Sequence, residues 1–328
     1  PLLENIPVLL RTSLNAPIKD GKVTNAFRLE SALPTIEFLR TRHARVLLAS
    51  HISGTGTESL RPMYEAMKEW VPNLHFCPVS IGPEARKAAR ELPPGGVLML
   101  ENLRRDPREE KNDPAFSKEL ASLADVFVQD SFDVCHRAHA SVVGVPDFLP
   151  SYAGLTLERE VGELTKALKP ARPAVAIIAG AKFSTKEPVL KRLLGSYDHV
   201  VVGGALANDF IKARGHAVGT SLVSSEGLER VKALLGTKKL FVPIDVIAAP
   251  LTGTRKEGRA ATIAHIRVDE AALDVGPETV RALRTLLDGA KTTADVTIEK
   301  FELRRVGQLD GPLIRSLSGF RSAVIAPP

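Results

Sequence analysis

The chain has 328 residues, of which 44% are hydrophobic and 25% are charged, and its formal net charge is +6. This length suits two domains, and the composition excludes a disordered or low-complexity chain. The longest apolar runs fall far short of the roughly 20 residues that a membrane-spanning helix needs. We identify no export signal, and two cysteines are too few for a disulfide framework, so we expect a cytoplasmic location.

In the first half of the chain, short β-rich runs alternate with helical stretches, which is typical of parallel sheets flanked by helices. We predict strands at residues 7–10, 45–50, 97–101 and 126–130. A helix is predicted from Arg28 to His43, with Pro34 early in the stretch, where proline is tolerated best.

A loop rich in Pro, Ser and Gly is predicted at residues 146–154, followed by a helix at 155–168 that ends before Lys169-Pro170. The same alternation then returns, with strands predicted at 174–179, 199–202 and 240–242 and helices at 188–194, 205–214 and 277–287. The predicted fold class is α/β, with two Rossmann-like parallel-sheet lobes joined by an interdomain helix and hinge. We place an N-terminal lobe at 1–152, the connecting helix at 153–169 and a C-terminal lobe at 170–328.

Basic and amide side chains follow the predicted strands of the first lobe, where ligands of parallel sheets collect. We expect them to converge with Arg28, which begins the next helix. They are Asn15, His51, Asn102, Arg104, His136, Arg137 and His139. Guanidinium and imidazole groups with few carboxylates suit phosphate and carboxylate oxygens. We interpret Arg11, Arg105 and Arg108 instead as solvated or paired surface residues.

Two other interpretations of this region remain open. His51 is equally consistent with a hydrogen-bonded histidine at a strand end. A metal site at residues 135–139 is disfavoured, because no second Cys/His cluster matches it and Arg137 lies between its two imidazoles. We therefore predict no metal ligands. Aromatic residues make up 5% of the chain, and no basic run contains stacking residues, so the positive charge suits small anions at least as well as nucleic acid.

The second half carries two small-residue turns, each after an apolar run and before a helical stretch. The first is 179–182 and the second is 202–205. Such turns let a ligand approach backbone amides and a helix N-terminus, and the ammonium groups of Lys182 and Lys186 lie close enough in sequence to meet a phosphate. The chain has no P-loop motif, and residues 54–59 lack the last glycine of a dinucleotide-binding motif.

Longer motifs, spread from Arg11 to about residue 291, strongly resemble the phosphoglycerate kinase family. In the first half they are NAPIKDGKVT (15–24) with Arg28, ENLR (101–104), EEKNDP (109–114) and HRAHASVVGV (136–145). In the second half they are GAKFSTK (180–186), GGALAN (203–208) and LDVGP (273–277).

The resemblance implies a two-lobed hinge kinase of glycolysis that transfers a phosphoryl group between 1,3-bisphosphoglycerate and ADP, with Mg²⁺ on the nucleotide. It implies a catalytic electrostatic role for Arg28, Lys182 and Lys186. The implied phosphoglycerate-binding residues are Asn15, Arg28, His51, Arg104 and Arg137. The implied nucleotide-binding residues are Lys182, Lys186, Gly203, Gly204 and Glu302. The implied partners are these small molecules, without nucleic acid or membrane, and we expect a monomer.

The chain also departs from the family pattern. Ser13 stands where the family has Asp, residues 51–54 read His-Ile-Ser-Gly where it has His-Leu-Gly-Arg, and Asp133-Val134 replaces Gly-Thr. The Trp-Asn-Gly-Pro motif is absent, and the sequence ends near the expected Gly-Gly-Asp-Thr phosphate loop, so we expect a truncated nucleotide lobe. The alternative is therefore a catalytically impaired relative that binds a phosphorylated metabolite or a protein partner.

Overall fold

The computed structural model describes residues 3–224, 227–252, 257–297 and 322–324. Contacts divide the chain into two compact units, of which unit 1 ends at Gly162 and unit 2 begins at Glu163. Among the described residues, no helix combines the length and the apolar composition that crossing a membrane requires.

Unit 1 is built on a six-stranded parallel sheet with the strand order β5-β6-β4-β1-β7-β8, and a small antiparallel hairpin joins β2 to β3. Its elements are β1 (Pro7–Arg11), β2 (Ile18–Lys19), β3 (Lys22–Val23), α1 (Phe27–Arg40), β4 (Arg45–Ala49), α2 (Arg61–Met67), β5 (Leu74–Phe76), α3 (Gly82–Glu91), β6 (Val97–Met99), α4 (Pro114–Ala121), β7 (Val126–Gln129), β8 (Ser151–Ala153) and the first part of α5 (Leu155–Leu168).

Helices cover both faces of this sheet, which explains why its central strands are apolar at nearly every position. Successive side chains of a strand point to opposite faces. Leu10 accordingly packs in one core layer with Ile36 of α1, whereas Leu9 packs in the other layer with Phe116 of α4. The alternating apolar residues thus bury two helical layers and leave the polar residues at the ends of the strands.

A buried carboxylate at the end of β7 holds the start of α5. Oδ1 of Asp130 accepts hydrogen bonds from the backbone amides of Thr156 (2.8 Å) and Leu157 (3.1 Å), which the first turn of a helix leaves without intrahelical partners. The backbone amide of Leu155 donates to the hydroxyl of Thr35 in α1. Burial raises the pKa of Asp130. Helices α1 and α5 are therefore joined at the carboxyl edge of the sheet.

Unit 2 contains a five-stranded parallel sheet, in the order β11-β10-β9-β15-β16, and an antiparallel sheet, in the order β13-β12-β14. Its elements after α5 are β9 (Ala174–Ala179), α6 (Phe183–Ser196), β10 (His199–Gly203), α7 (Gly204–Ala213), α8 (Leu228–Leu235), β11 (Leu240–Phe241), β12 (Asp245–Ala249), β13 (Arg259–Thr262), β14 (Ala271–Val275), α9 (Pro277–Asp288), β15 (Thr292–Thr297) and β16 (Ser322–Val324).

Strand β9 separates the two core layers of unit 2 in the same manner. Ile178 packs with Phe183 of α6 and Phe210 of α7, whereas Ile177 packs on the opposite face with Leu283 of α9. This confirms the predicted α/β class with two parallel-sheet units.

Three predictions about elements were wrong or incomplete. Residues 151–153 form β8 rather than loop, because their backbone pairs with β7 although their side chains are exposed. Helix α6 begins at Phe183, five residues earlier than predicted, and accommodates Pro188 inside it. The antiparallel sheet was not predicted, since its strands carry alanine and charged residues without a clear alternation.

Asp245, at the start of β12, caps the N-terminus of α9, although the strand that precedes α9 in the chain is β14. Its carboxylate accepts hydrogen bonds from the backbone amides of Glu278 (2.9 Å) and Thr279 (2.7 Å) and from the Thr279 hydroxyl (2.7 Å). The side chain is buried, so these bonds are shielded from water. One residue thereby attaches the helix to the antiparallel sheet.

Replacing Asp245 with Asn should lower the free energy of unfolding of unit 2 by about 2 kcal/mol. Each oxygen of the Asp245 carboxylate accepts from a backbone N–H. Whichever way the Asn side chain is turned, its NH2 group therefore faces one of these N–H donors and cannot accept from it. Urea unfolding followed by circular dichroism measures the change. The matched control is Asp288→Asn, at the exposed last residue of the same helix. Equal stabilities of the two variants would contradict the capping role.

Candidate functional site

The parallel register brings the ends of the strands of unit 1 side by side. Arg11 at the end of β1 pairs with Ala49 of β4 and with Gln129 of β7. The residues that follow these strands therefore share one edge of the sheet, as expected. We call the cationic and imidazole groups along it the basic edge: Arg11, Arg28, His51, Arg104 and Arg137.

Arg11 lies at the centre of the basic edge and is completely buried, so its interpretation as a surface residue was wrong. Its Nε donates to Ser141 Oγ (2.9 Å), and its Nη2 donates to His51 Nδ1 (2.9 Å). Ser141 in turn donates through its hydroxyl and its backbone amide to the buried carboxylate of Glu109. The guanidinium is thus tied to Glu109 through a hydroxyl, as a buried cation requires.

His51 is held as a neutral ring. Burial and the charge of Arg11 lower its pKa to about 2. Since a guanidinium only donates, Nδ1 must accept from Arg11, and the ring proton lies on Nε2. His51 therefore offers a hydrogen-bond donor without adding charge. The ring is thus a hydrogen-bonded histidine at a strand end, and it lies among the groups of the basic edge.

Arg28 is bound by a carboxylate of the chain itself. Its Nη1 lies 2.6 Å from Asp133 Oδ2 and donates to Ser13 Oγ at 2.7 Å. Burial acts to raise the pKa of Asp133, but the hydrogen bond from Ser131 and the charge of Arg28 outweigh it, and the pKa is about 2. The two positions at which the chain departs from the family pattern, 13 and 133, thus meet at Arg28.

Arg104 carries a buried donor without a partner. Its Nε lies 3.1 Å from Glu110, but its Nη2 is buried without a hydrogen bond to any described residue, and the same is true of Nδ1 of His139. Arg137 is half-buried, and its charge lowers the pKa of Arg104 and of His51. An unpaired buried donor is costly, so this part of the basic edge favours an anion or water.

Asn15 is placed at this edge, but it braces a loop. Its Oδ1 accepts from the backbone amide of Ser53 (3.0 Å) and its Nδ2 donates to the Ser53 hydroxyl (2.9 Å). Arg105 and Arg108 are paired with acidic residues, as predicted. The structure therefore brings together the five predicted substrate-binding residues. Asn15, Arg28 and Arg137 are part-exposed, the Arg104 side chain is 11% exposed, and His51 is buried.

In unit 2, the two predicted turns are adjacent. The backbone amide of Leu206 in α7 donates to the carbonyl of Gly180 after β9 (2.6 Å). Gly203 precedes α7, and Gly204 has a φ of +58°, a left-handed conformation that favours glycine. The N-termini of α6 and α7 thus lie beside one another at the carboxyl ends of β9 and β10.

The two predicted lysines differ in exposure. Lys182 is exposed and immediately precedes α6, whereas Lys186 is buried and lies across Gly180. A Cβ at position 180 would come within 2.5 Å of Lys186 Cε. The side chains of Lys182 and Lys186 therefore both lie at the glycine turns. Glu302 lies outside the described residues, and among the described residues no group of three or more His, Cys, Asp or Glu could hold a metal ion.

Sequence reasoning missed the partners that organise the basic edge. Glu109 and Ser141 are 32 residues apart, and no motif in the sequence joins them. Arg11 could have been recognised, because a charged residue at the end of a fully apolar central strand has no direct route to solvent.

Lowering the pH below about 6.5 should destabilise unit 1 through His51, by up to about 1.4 kcal/mol per pH unit. The folded ring stays neutral down to about pH 2, whereas the unfolded ring takes up a proton near 6.5, so the unfolded state binds more protons in between. Urea unfolding at several pH values measures this slope, and NMR reports the protonation state of the His51 ring in the folded chain. His51→Gln should flatten the slope; an unchanged slope would contradict the assignment.

Comparison with known proteins identifies the family. The phosphoglycerate kinase family model matches residues 2–295. The phosphoglycerate kinase of Moorella thermoacetica is 42% identical over 302 residues, which cover 88% of this chain and 77% of that protein. That of Thermus thermophilus is 42% identical over 296 residues, with coverages of 87% and 76%.

Solved structures agree. Phosphoglycerate kinase from Coxiella burnetii superposes with a TM-score of 0.79 and 32% identity, covering 99% of this chain and 85% of that one. The enzyme from Pyrococcus horikoshii has a TM-score of 0.84 at 24% identity, with coverages of 98% and 85%, and supports the fold. The chain therefore belongs to the phosphoglycerate kinase family.

Proposed function

We propose that this chain is a phosphotransferase that moves a phosphoryl group reversibly between 1,3-bisphosphoglycerate and ADP, giving 3-phosphoglycerate and ATP. Membership of the phosphoglycerate kinase family supports this glycolytic reaction. The observation at the site that supports this function is the basic edge, in which a buried guanidinium nitrogen of Arg104 has no hydrogen-bond partner among the described residues.

In this proposal the basic edge binds phosphoglycerate. Arg28, Arg104 and Arg137 supply charged donors that can bind carboxylate and phosphate oxygens in pairs. His51 supplies a neutral donor through Nε2, and Asn15 orders the loop beside it. The buried hydrogen bonds that link Glu109, Ser141 and Arg11 keep His51 in place.

The glycine turns of unit 2 bind the nucleotide in this proposal. Gly203 and Gly204 leave room for the nucleoside, and Lys182 and Lys186 meet the phosphates. Mg²⁺ is carried on the nucleotide, since phosphate oxygens are ligands that it prefers. Glu302 is proposed for the ribose from the family resemblance alone.

No nucleophilic side chain is required. The acyl phosphate and the nucleotide oxygen react in line, so the protein contributes positioning and neutralises the charge on the transferred group. We assign that electrostatic role to Arg28, Lys182 and Lys186. The lobes 1–152 and 170–328 would carry the two substrates, with the helix at 153–169 as the connecting hinge. We further propose a cytoplasmic monomer.

A coupled assay of ATP formation from ADP and 1,3-bisphosphoglycerate tests the reaction. The impaired alternative predicts 3-phosphoglycerate binding without turnover, and calorimetry on the same preparation separates the two. Asp133 at Arg28 is the observation that favours this second candidate.

Arg28→Ala should lower kcat by at least about 100-fold, because the charge it neutralises develops during transfer. Its thermal unfolding should change little, since a part-exposed ion pair contributes about 0–1 kcal/mol. Arg108→Ala is the matched control, because Arg108 is equally exposed (38%) and also paired with an aspartate. A kcat equal to that of the control would refute the role of Arg28.

Lys182→Ala should weaken ADP binding about tenfold and leave adenosine binding unchanged, because an exposed ammonium attracts phosphates and not the nucleoside. Calorimetry with both ligands measures the difference. Lys191→Ala, on the helix that Lys182 precedes and paired with Glu187, is the control. Equal losses for ADP and adenosine would contradict a phosphate contact.

A further inference from the structure

Asp133 differs from Glu110, the other part-exposed carboxylate beside an arginine of the basic edge, in being held firmly. Its Oδ1 accepts from the Ser131 hydroxyl (2.5 Å), and its Oδ2 accepts from the Ser13 hydroxyl (2.9 Å) and from Arg28 (2.6 Å). By contrast, Glu110 is 54% exposed, and its carboxylate faces Arg104 Nε at 3.1 Å without a hydroxyl partner among the described residues. Two hydroxyls thus fix the negative charge of Asp133 in place.

Arg28 keeps donors available beside this fixed charge. Only its Nη1 is engaged, by Ser13 and Asp133, and within the described residues the structure gives Nε and Nη2 no hydrogen bond. Its side chain is 38% exposed. Nε and Nη2 form the planar edge that binds an anion with two hydrogen bonds. An anion bound there shares the guanidinium with Asp133.

We propose that Asp133 determines which anions the basic edge accepts, by lowering the affinity of Arg28 for dianionic groups more than for monoanionic groups. Coulomb energy is proportional to charge, so the logarithm of the penalty should double from one negative charge to two. The inference deepens the proposed function, on which its meaning for phosphoglycerate rests. Because of Asp133, binding the phosphate group of phosphoglycerate at Arg28 costs more free energy than binding its carboxylate group there.

The ionisation state of Asp133 supports a constant penalty. Its pKa of about 2 keeps it charged at neutral pH. Asp133 is also only 34% exposed, so solvent screens its field on a neighbouring anion incompletely. The carboxylate therefore acts as a standing charge and not as a switch.

The test is the Asp133→Asn variant, which keeps the shape and removes the charge. NMR titration of the whole chain with inorganic phosphate at pH 8 and with acetate measures binding of a dianion and of a monoanion. We expect acetate to bind about threefold more tightly and phosphate about tenfold more tightly than in the unchanged chain. The double variant Arg28→Ala/Asp133→Asn should lose both gains.

The matched control is Asp106→Asn. It removes the same charge from an aspartate paired with a 38%-exposed arginine in unit 1, Arg108, at 2.7 Å. Weaker or unchanged binding in Asp133→Asn would overturn the proposal, because a residue that merely holds Arg28 in position cannot give tighter binding when removed. Equal gains for phosphate and acetate would also overturn it, since charge would then not be the cause.

Failure of this inference is distinguishable from failure of the proposed function. The anion titrations need no turnover, so they decide the role of Asp133 even if the chain forms no ATP. In an assay run from 3-phosphoglycerate and ATP, the Asp133→Asn variant should lower KM for 3-phosphoglycerate by a larger factor than it changes kcat. A fall in kcat with KM unchanged would contradict a binding penalty.

Discussion

The cost of burying a guanidinium governs how unit 1 is built around its sheet. Arg11 ends a central strand that is buried along its whole length, so its charge has no route to water. It is stable there because Ser141 and the backbone carbonyl of Thr12 accept its hydrogen bonds and Glu109 lies behind Ser141. Burial still lowers the pKa of Arg11, and the charge of Glu109 opposes the shift. The same group then sets the proton position on His51.

The two units use different chemistry at equivalent places. Both put the carboxyl ends of parallel strands next to helix N-termini, where backbone amides are unpaired. Unit 1 adds long cationic side chains, and it adds Asp133 and Glu109 to balance them. Unit 2 has glycines at these places, so backbone amides are accessible to a ligand, and lysines supply the positive charge.

The sequence predicted the α/β class and the main parallel strands because buried central strands are continuous apolar runs, such as residues 45–49 and 174–179. It did not predict β8, whose side chains are exposed and whose only support is backbone pairing. At the basic edge, Arg104 and Arg137 were identifiable from their place after strands, and Arg28 from its place at the start of a helix. The hydrogen bond of Arg11 to Ser141 and the pairing of Asp133 with Arg28 were not, since both join residues more than 100 positions apart in sequence.

The close approach of Lys186 to Gly180 links the size of residue 180 to the position of a charge. A methyl group at 180 would come within 2.5 Å of Lys186 Cε, and the backbone of Gly180 lies outside the left-handed region, so the lysine and not backbone strain favours glycine there. Because Cε lies near the far end of a flexible side chain, alanine at 180 would displace the ammonium group and leave the fold intact. A single missing methyl group thus fixes where this charge stands.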